Sequence, residues 1–156
     1  MKMSEQLKKA QDNMQAGTIT SGGFMGIDTR PLADIIAADE AEMASLYLDW
    51  DAVAKRLRTL LKAGIAGMGE TVTVEQRLLV RADETRGRMP CPWEDGIYPK
   101  ISAELQTLDP KTGLGTGPVI VFNELIIHLI QKHHFLQGKG SSYRIEPETL
   151  KLLLAL

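Results

Sequence analysis

Apolar residues recur along this chain at two intervals, and the change from one to the other divides it. Between residues 28 and 67 the interval is helical. Leu32, Ile35, Ile36, Met43 and Leu46 form one stripe, which predicts a helix opened by Thr29 as N-cap, with Pro31 in its first turn, and running to about residue 47. The stretch "LDWD" interrupts it. Asp49 is placed to cap a second helix that turns Val53, Leu57, Leu60 and Leu61 inward and Lys55, Arg56, Arg58 and Lys62 mostly outward, ending at Gly64 or Gly67. With so short a connection the two make an αα-hairpin. From Thr71 the interval becomes two. "TVTVEQRLLVRAD" alternates and is rich in Val, Thr and Leu, and "KISAELQTL" places Ile101, Ala103 and Leu105 on one strand face. "RMPC" starts a return strand that Pro90 and Pro92 keep short. "DPKTGLGTG" is a loop by composition, and "PVIVF" returns from it, so residues 100–122 read as a β-hairpin. Helical spacing then resumes in "NELIIHLIQKHHFLQ", with Asn123 as cap and "GKGSS" as its end. Glu146-Pro147 opens a last short helix.

Helices and strands are thus segregated along the chain, which predicts an α+β fold rather than a doubly wound sheet. It would consist of an N-terminal helical hairpin, a small antiparallel sheet with one helix packed on it, and a short C-terminal helix. Ahead of the hairpin, residues 4–16 carry a thin stripe of Met3, Leu7, Ala10 and Met14, and "GTITSGGFMGIDT" has the Gly, Ser and Thr content of a tether. Residues 1–27 are therefore expected to be a flexible arm that frays or orders against a partner, and residues 28–156 a single domain.

Composition narrows the classes. The chain has 156 residues, 44% hydrophobic and 24% charged, enough to bury a core. Aromatics are only 5%, so that core must be aliphatic, and base-stacking platforms for single-stranded nucleic acid are scarce. A net charge of −2 argues against electrostatic capture of the whole protein by nucleic acid or membrane. One cysteine excludes an internal disulfide and suits a reducing compartment. The N-terminus has no apolar core of a signal peptide and no apolar run is long enough to span a bilayer, so a cytoplasmic protein is expected.

Two stretches bear on chemistry, "CPWEDG" from Cys91 and "HLIQKHHF" from His128. His128 and His133 have an H-x₄-H spacing, within the range zinc sites use, and on a helix it sets the two imidazoles about 140° apart. An ion between the helix and the loop before the strands would reach both and Cys91. Residues 88–135 resemble a degenerate zinc-finger or zinc-ribbon unit. "CPWEDG" is similar to the C-P-x-C-G knuckle, with Glu94 where the second cysteine would stand. The resemblance implies a zinc site of Cys91, His128, His133 and a carboxylate, Glu94 or Asp95. It departs from the pattern in the missing cysteine and in the long spacer to His128. The competing reading makes Cys91 a small buried hydrophobe and the histidines a satisfied helix end. A Cys91–His nucleophile pair has little support, because Cys91 lies between prolines and not at a helix N-terminus.

"GKGSS" follows a helix rather than opening one, so it is not a phosphate-binding P-loop. Yet Lys132, His134, Lys139 and Arg144 make the segment after the helix basic and free of acids, which offers an anion or partner surface. Arg77, Arg81, Arg86 and Arg88 would extend it only if the sheet adjoined that helix end. No Ser-His-Asp pattern, GxGxxG or HExxH is present. The first expectation is thus a non-catalytic accessory subunit or adaptor with a protein partner or a second copy of itself. The alternatives are a zinc-like metal protein, structural or hydrolytic, and nucleic-acid or phosphate binding through residues 132–144.

Overall fold

The computed structural model describes residues 3–156, so the first two residues of the expected arm lie outside the described residues. The elements are α1 (Glu5–Asn13), α2 (Leu32–Ser45), α3 (Trp50–Ala66), β1 (Val72–Val74), β2 (Leu78–Asp83), β3 (Arg88–Pro90), β4 (Ile97–Pro99), β5 (Ser102–Leu108), β6 (Gly115–Asn123), α4 (Glu124–His133) and α5 (Pro147–Leu154). The fold is α+β, as the segregated pattern predicts. A four-stranded antiparallel sheet runs in the order β1-β2-β5-β6, and β3 and β4 form a separate two-stranded ribbon. No helix among the described residues is long and apolar enough to cross a membrane.

Alternation decides which face of the sheet is covered. Leu78, Val80 and Ala82 of β2, Ala103 and Leu105 of β5, and Ile120 and Phe122 of β6 all point to one side and are buried. Against them lie Leu57, Leu60 and Leu61 of α3, Ile126, Ile127 and Ile130 of α4, and Leu150, Leu153 and Leu154 of α5. Gly64 falls inside α3, and the helix ends at Gly67. A Cβ on Gly64 would come within 2.9 Å of Val80 Cγ1, so a side chain there would hold the helix off the sheet.

Three local expectations change. "TVTVEQRLLVRAD" is not one strand but a hairpin, with Val72 opposite Val80 and Val74 opposite Leu78. Glu75 and Gln76 both take left-handed φ, near +55°, and Arg77 N–H bonds to Val74 O at 3.1 Å. A tight turn of this twist usually carries Asn or Gly, so the sequence gives no signal for it. Next, α2 begins at Leu32 with Pro31, not Thr29, at the cap. The Leu32 N–H donates to Gln11 Oε1 of α1 at 2.8 Å, so the cap comes from another helix. Finally, α4 ends before "GKGSS", where His134 takes a left-handed φ of 52° and its N–H returns to Ile130 O.

The segment expected to be a tether is packed from Met3 onward. Ala10, Met14, Phe24 and Met25 are buried in a second core with Leu32, Ile35, Cys91, Leu125, Leu129 and Phe135. Backbone bonds hold its glycine-rich part. Phe24 N–H donates to Met14 O, Gly138 N–H to Phe24 O, and Ile27 N–H to Lys139 O. Gly26 takes φ +59°, and a Cβ there would sit 2.2 Å from Ser141 N. The glycines that look like flexibility in the sequence permit backbone contact in the fold.

Candidate metal centre

The ribbon and α4 build the site. β3 and β4 pair with Met89 opposite Tyr98 and Pro90 opposite Ile97, and the residues between them make a tight knuckle. Cys91 N–H bonds to Gly96 O at 2.9 Å, and Glu94 N–H bonds to Cys91 O at 2.8 Å. Glu94 occupies the left-handed corner, φ 61°, and turns its side chain outward to Lys9 of α1, Oε2–Nζ 2.8 Å. The next residue, Asp95, comes back under Cys91. Gly96 leaves room for Tyr98, whose hydroxyl would lie 2.7 Å from a Cβ at that position.

α4 meets this knuckle with the residues that neither core uses. Its Ile126, Ile127 and Ile130 enter the main core, and Leu125 and Leu129 the second. His128 and the terminal His133 are left to face the ribbon. His128 Nε2 lies 2.9 Å from Asp95 Oδ1, and His133 Nε2 lies 2.8 Å from Asp95 Oδ2. One donor atom from each of Cys91, Asp95, His128 and His133 falls within 4.8 Å of every other, so the cluster could hold a metal ion. A tetrahedral zinc ion with bonds of about 2.0–2.3 Å needs donors about 3.3–3.7 Å apart. The widest pair would close by about 1 Å.

The surroundings fix the imidazoles. Trp93 stacks on His133 with centroids 4.0 Å apart and planes 6° from parallel, and it meets Phe135 edge-on at 5.9 Å. Tyr98 stacks on His128 at 4.7 Å. The two imidazoles themselves are 5.2 Å apart and nearly perpendicular. Side-chain exposures of 16% for His128, 11% for His133 and 31% for Asp95 leave the cluster roofed by the carboxylate.

Burial pushes the Cys91 thiol up to about 12, and the Asp95 carboxylate it donates to pushes the same way. Burial also raises Asp95, but hydrogen bonds from Cys91, His128 and His133 outweigh it and hold the carboxyl well below the usual carboxylate range. Burial lowers His133 further than Asp95 raises it, which favours the neutral ring that a metal ligand requires. An ionised carboxylate only accepts, so both imidazoles carry their proton on Nε2 in this arrangement.

Of the expected ligands, the structure brings together Cys91, Asp95, His128 and His133 and leaves Glu94 outside. The resemblance leaves Glu94 and Asp95 as alternatives for the carboxylate; the left-handed corner at Glu94 sends that side chain away to Lys9, and Asp95 is the one that joins the cluster. The expected anion surface is divided. Arg144 is buried against Asp39, with Nη2–Oδ1 at 2.9 Å, and also bonds Glu146 and Gln137 O. His134 pairs with Glu40 at 2.8 Å and stacks on Trp50 at 4.3 Å. Lys132 and Lys139 remain exposed. Their apparent freedom from acids holds only along the sequence, since α2 brings Asp39 and Glu40 from across the fold. Arg77 caps the end of α5 through Leu153 O, and Arg81 pairs with Asp83 and Glu104.

Compared with known protein families, curated proteins and solved structures, the chain matches none. The site is read from its own chemistry.

Proposed function

We propose that this protein binds one zinc ion through Cys91 Sγ, one Asp95 oxygen, and the Nε2 atoms of His128 and His133, and that the ion fastens the β3–β4 ribbon to α4 as a structural, non-catalytic centre. The observation that carries this reading is the convergence of four donors of the right kinds on one point from two elements. A thiolate with two imidazoles and a carboxylate suits zinc better than magnesium or calcium, which take oxygen donors. Four protein donors fill a tetrahedral ion, which favours a structural centre over one with an open water position. The stacked Trp93 and Tyr98 supply the outer support such ligands need. An accessory or adaptor role is compatible with the same site, because the fastened ribbon presents Ile97, 62% exposed, on its outer side.

The test is metal content of untagged protein before and after mild chelation, followed by reconstitution with cobalt(II). About one metal per chain, with a thiolate-to-cobalt charge-transfer band that is lost in Cys91→Ser, supports the reading. Protein that takes up no zinc or cobalt after reconstitution overturns it. A cobalt spectrum of five- or six-coordination, with exchangeable water, would replace the structural role by a hydrolytic one.

A further inference from the structure

A separate cleft of about 470 Å³ lies where the two glycine-rich segments meet the start of β5 and the start of α4, away from the four metal-site residues. That volume is in the range of small-molecule sites. Among the described residues no carboxylate lines it, and its one charged group is Lys100. The stem of Lys100 passes Gly87, where a Cβ would lie 3.7 Å from Lys100 Cδ. Its ammonium has no ion-pair partner among the described residues, and neither do the hydroxyls of Ser21, Thr85 and Ser142, which line the same cleft, have hydrogen-bond partners there. Phe24, Met89 and Leu125 give it an apolar side.

The groups expected from the sequence to bind an anion, Lys132, His134, Lys139 and Arg144, do not line this cleft, although their neighbours Gln137 and Gly140 to Tyr143 do. Arg144, neutralised by Asp39 and Glu146, donates to Gln137 O. Lys139 is exposed outside the cleft, with its backbone N–H on Asp28 Oδ2 at 3.1 Å. The cation left for a ligand is Lys100, from the link between β4 and β5, far away in sequence. One unpaired ammonium, several unengaged hydroxyl donors, no competing acid and an adjoining apolar wall are together complementary to a phosphate group carried on an apolar body. From this we infer that the cleft is a binding site for a small phosphorylated organic molecule, with Lys100 as its anchoring charge.

Phenyl phosphate is the probe, titrated into ¹⁵N-labelled full-length protein in phosphate-free buffer, with benzoate as a parallel arm. The expected result is saturable amide shifts at Gly22, Gly23, Ser141 and Ser142, with phenyl phosphate binding more tightly than benzoate. Lys100→Met keeps the stem and removes the charge, and should weaken binding about tenfold or more. Ser142→Trp should block the cleft, and Lys111→Met, on the exposed 109–114 loop, should change nothing. Absence of saturable shifts in the millimolar range, shifts that survive Lys100→Met, or benzoate binding as tightly as phenyl phosphate would each overturn the assignment. Because the readout is the cleft's own amides, the result is independent of whether zinc occupies the other site.

Discussion

Zinc bound as proposed would stabilise the native chain only as far as it prefers it to the unfolded one, and His128→Ala separates that effect from ordinary packing. At a hundredfold excess of free zinc over its dissociation constant, linkage contributes about 2.7 kcal/mol. For a chain of this length each kcal/mol moves Tm by about 2–4 °C, so the wild-type protein should gain about 5–11 °C over the chelated form. Without metal, His128→Ala loses the bond to Asp95 and the stack on Tyr98. A charge-assisted hydrogen bond is worth about 1.5–3 kcal/mol when buried, but the Asp95 side chain is 31% exposed, so solvent reduces it. With the stacking loss and a small gain in helix propensity, the metal-free variant should fall by about 1–2 kcal/mol, or ~2–8 °C. The decisive quantity is the double difference. Scanning calorimetry on both proteins, with EDTA and with buffered zinc, should show the zinc increment nearly abolished in the variant. An equal increment in both would refute the coordination through His128, whatever the variant does to the metal-free Tm.

Further expectations follow from the same geometry. Cys91, with its thiol pushed up to about 12 by burial, is protonated at neutral pH and must lose that proton to bind zinc. Calorimetry in buffers of different ionisation enthalpy should therefore register about one proton released per ion, and the apparent affinity should rise about tenfold per pH unit above neutrality; an affinity flat with pH would remove the thiol from the site. Met14→Ala, at a fully buried position in the second core, should cost about 2–5 kcal/mol by urea unfolding, and a change below about 0.5 kcal/mol would mean that the N-terminal segment is not packed as described. Asp39→Ala leaves Arg144 buried with only Glu146 and Gln137 O, and should cost about 2–3 kcal/mol; an unchanged urea midpoint would show the pair to be dispensable.

Local chemistry was enough to determine much of this molecule. Asp49 and Asn123 cap their helices as their side chains predict, accepting from Ala52 and Ile126 N–H. Alternation in "KISAELQTL" puts Ala103 and Leu105 in the core, and the pattern from 100 to 122 closes as a hairpin. Such features depend on neighbours a few residues away, so they are legible in the chain. The H-x₄-H spacing, the lone cysteine and the two acids after it were also visible, and with them all four members of the cluster, the carboxylate as one of two candidates.

What only the tertiary structure decided involves partners far apart along the chain or conformations that no residue type announces. Left-handed φ at Glu75, Gln76 and Glu94 is imposed by surrounding contacts, because Glu and Gln side chains do not favour it. It turns one apparent strand into a hairpin and decides between Glu94 and Asp95 as the carboxylate of the cluster. The cap of α2 comes from Gln11, and the acids that neutralise Arg144 and His134 come from α2. The glycine-rich stretches have the composition of linkers, yet they pack because a missing side chain permits close backbone approach as readily as it permits motion. Lys100 shows the converse. It looks like an ordinary surface lysine in sequence, and only the fold sets it in a cleft without an acid to pair with.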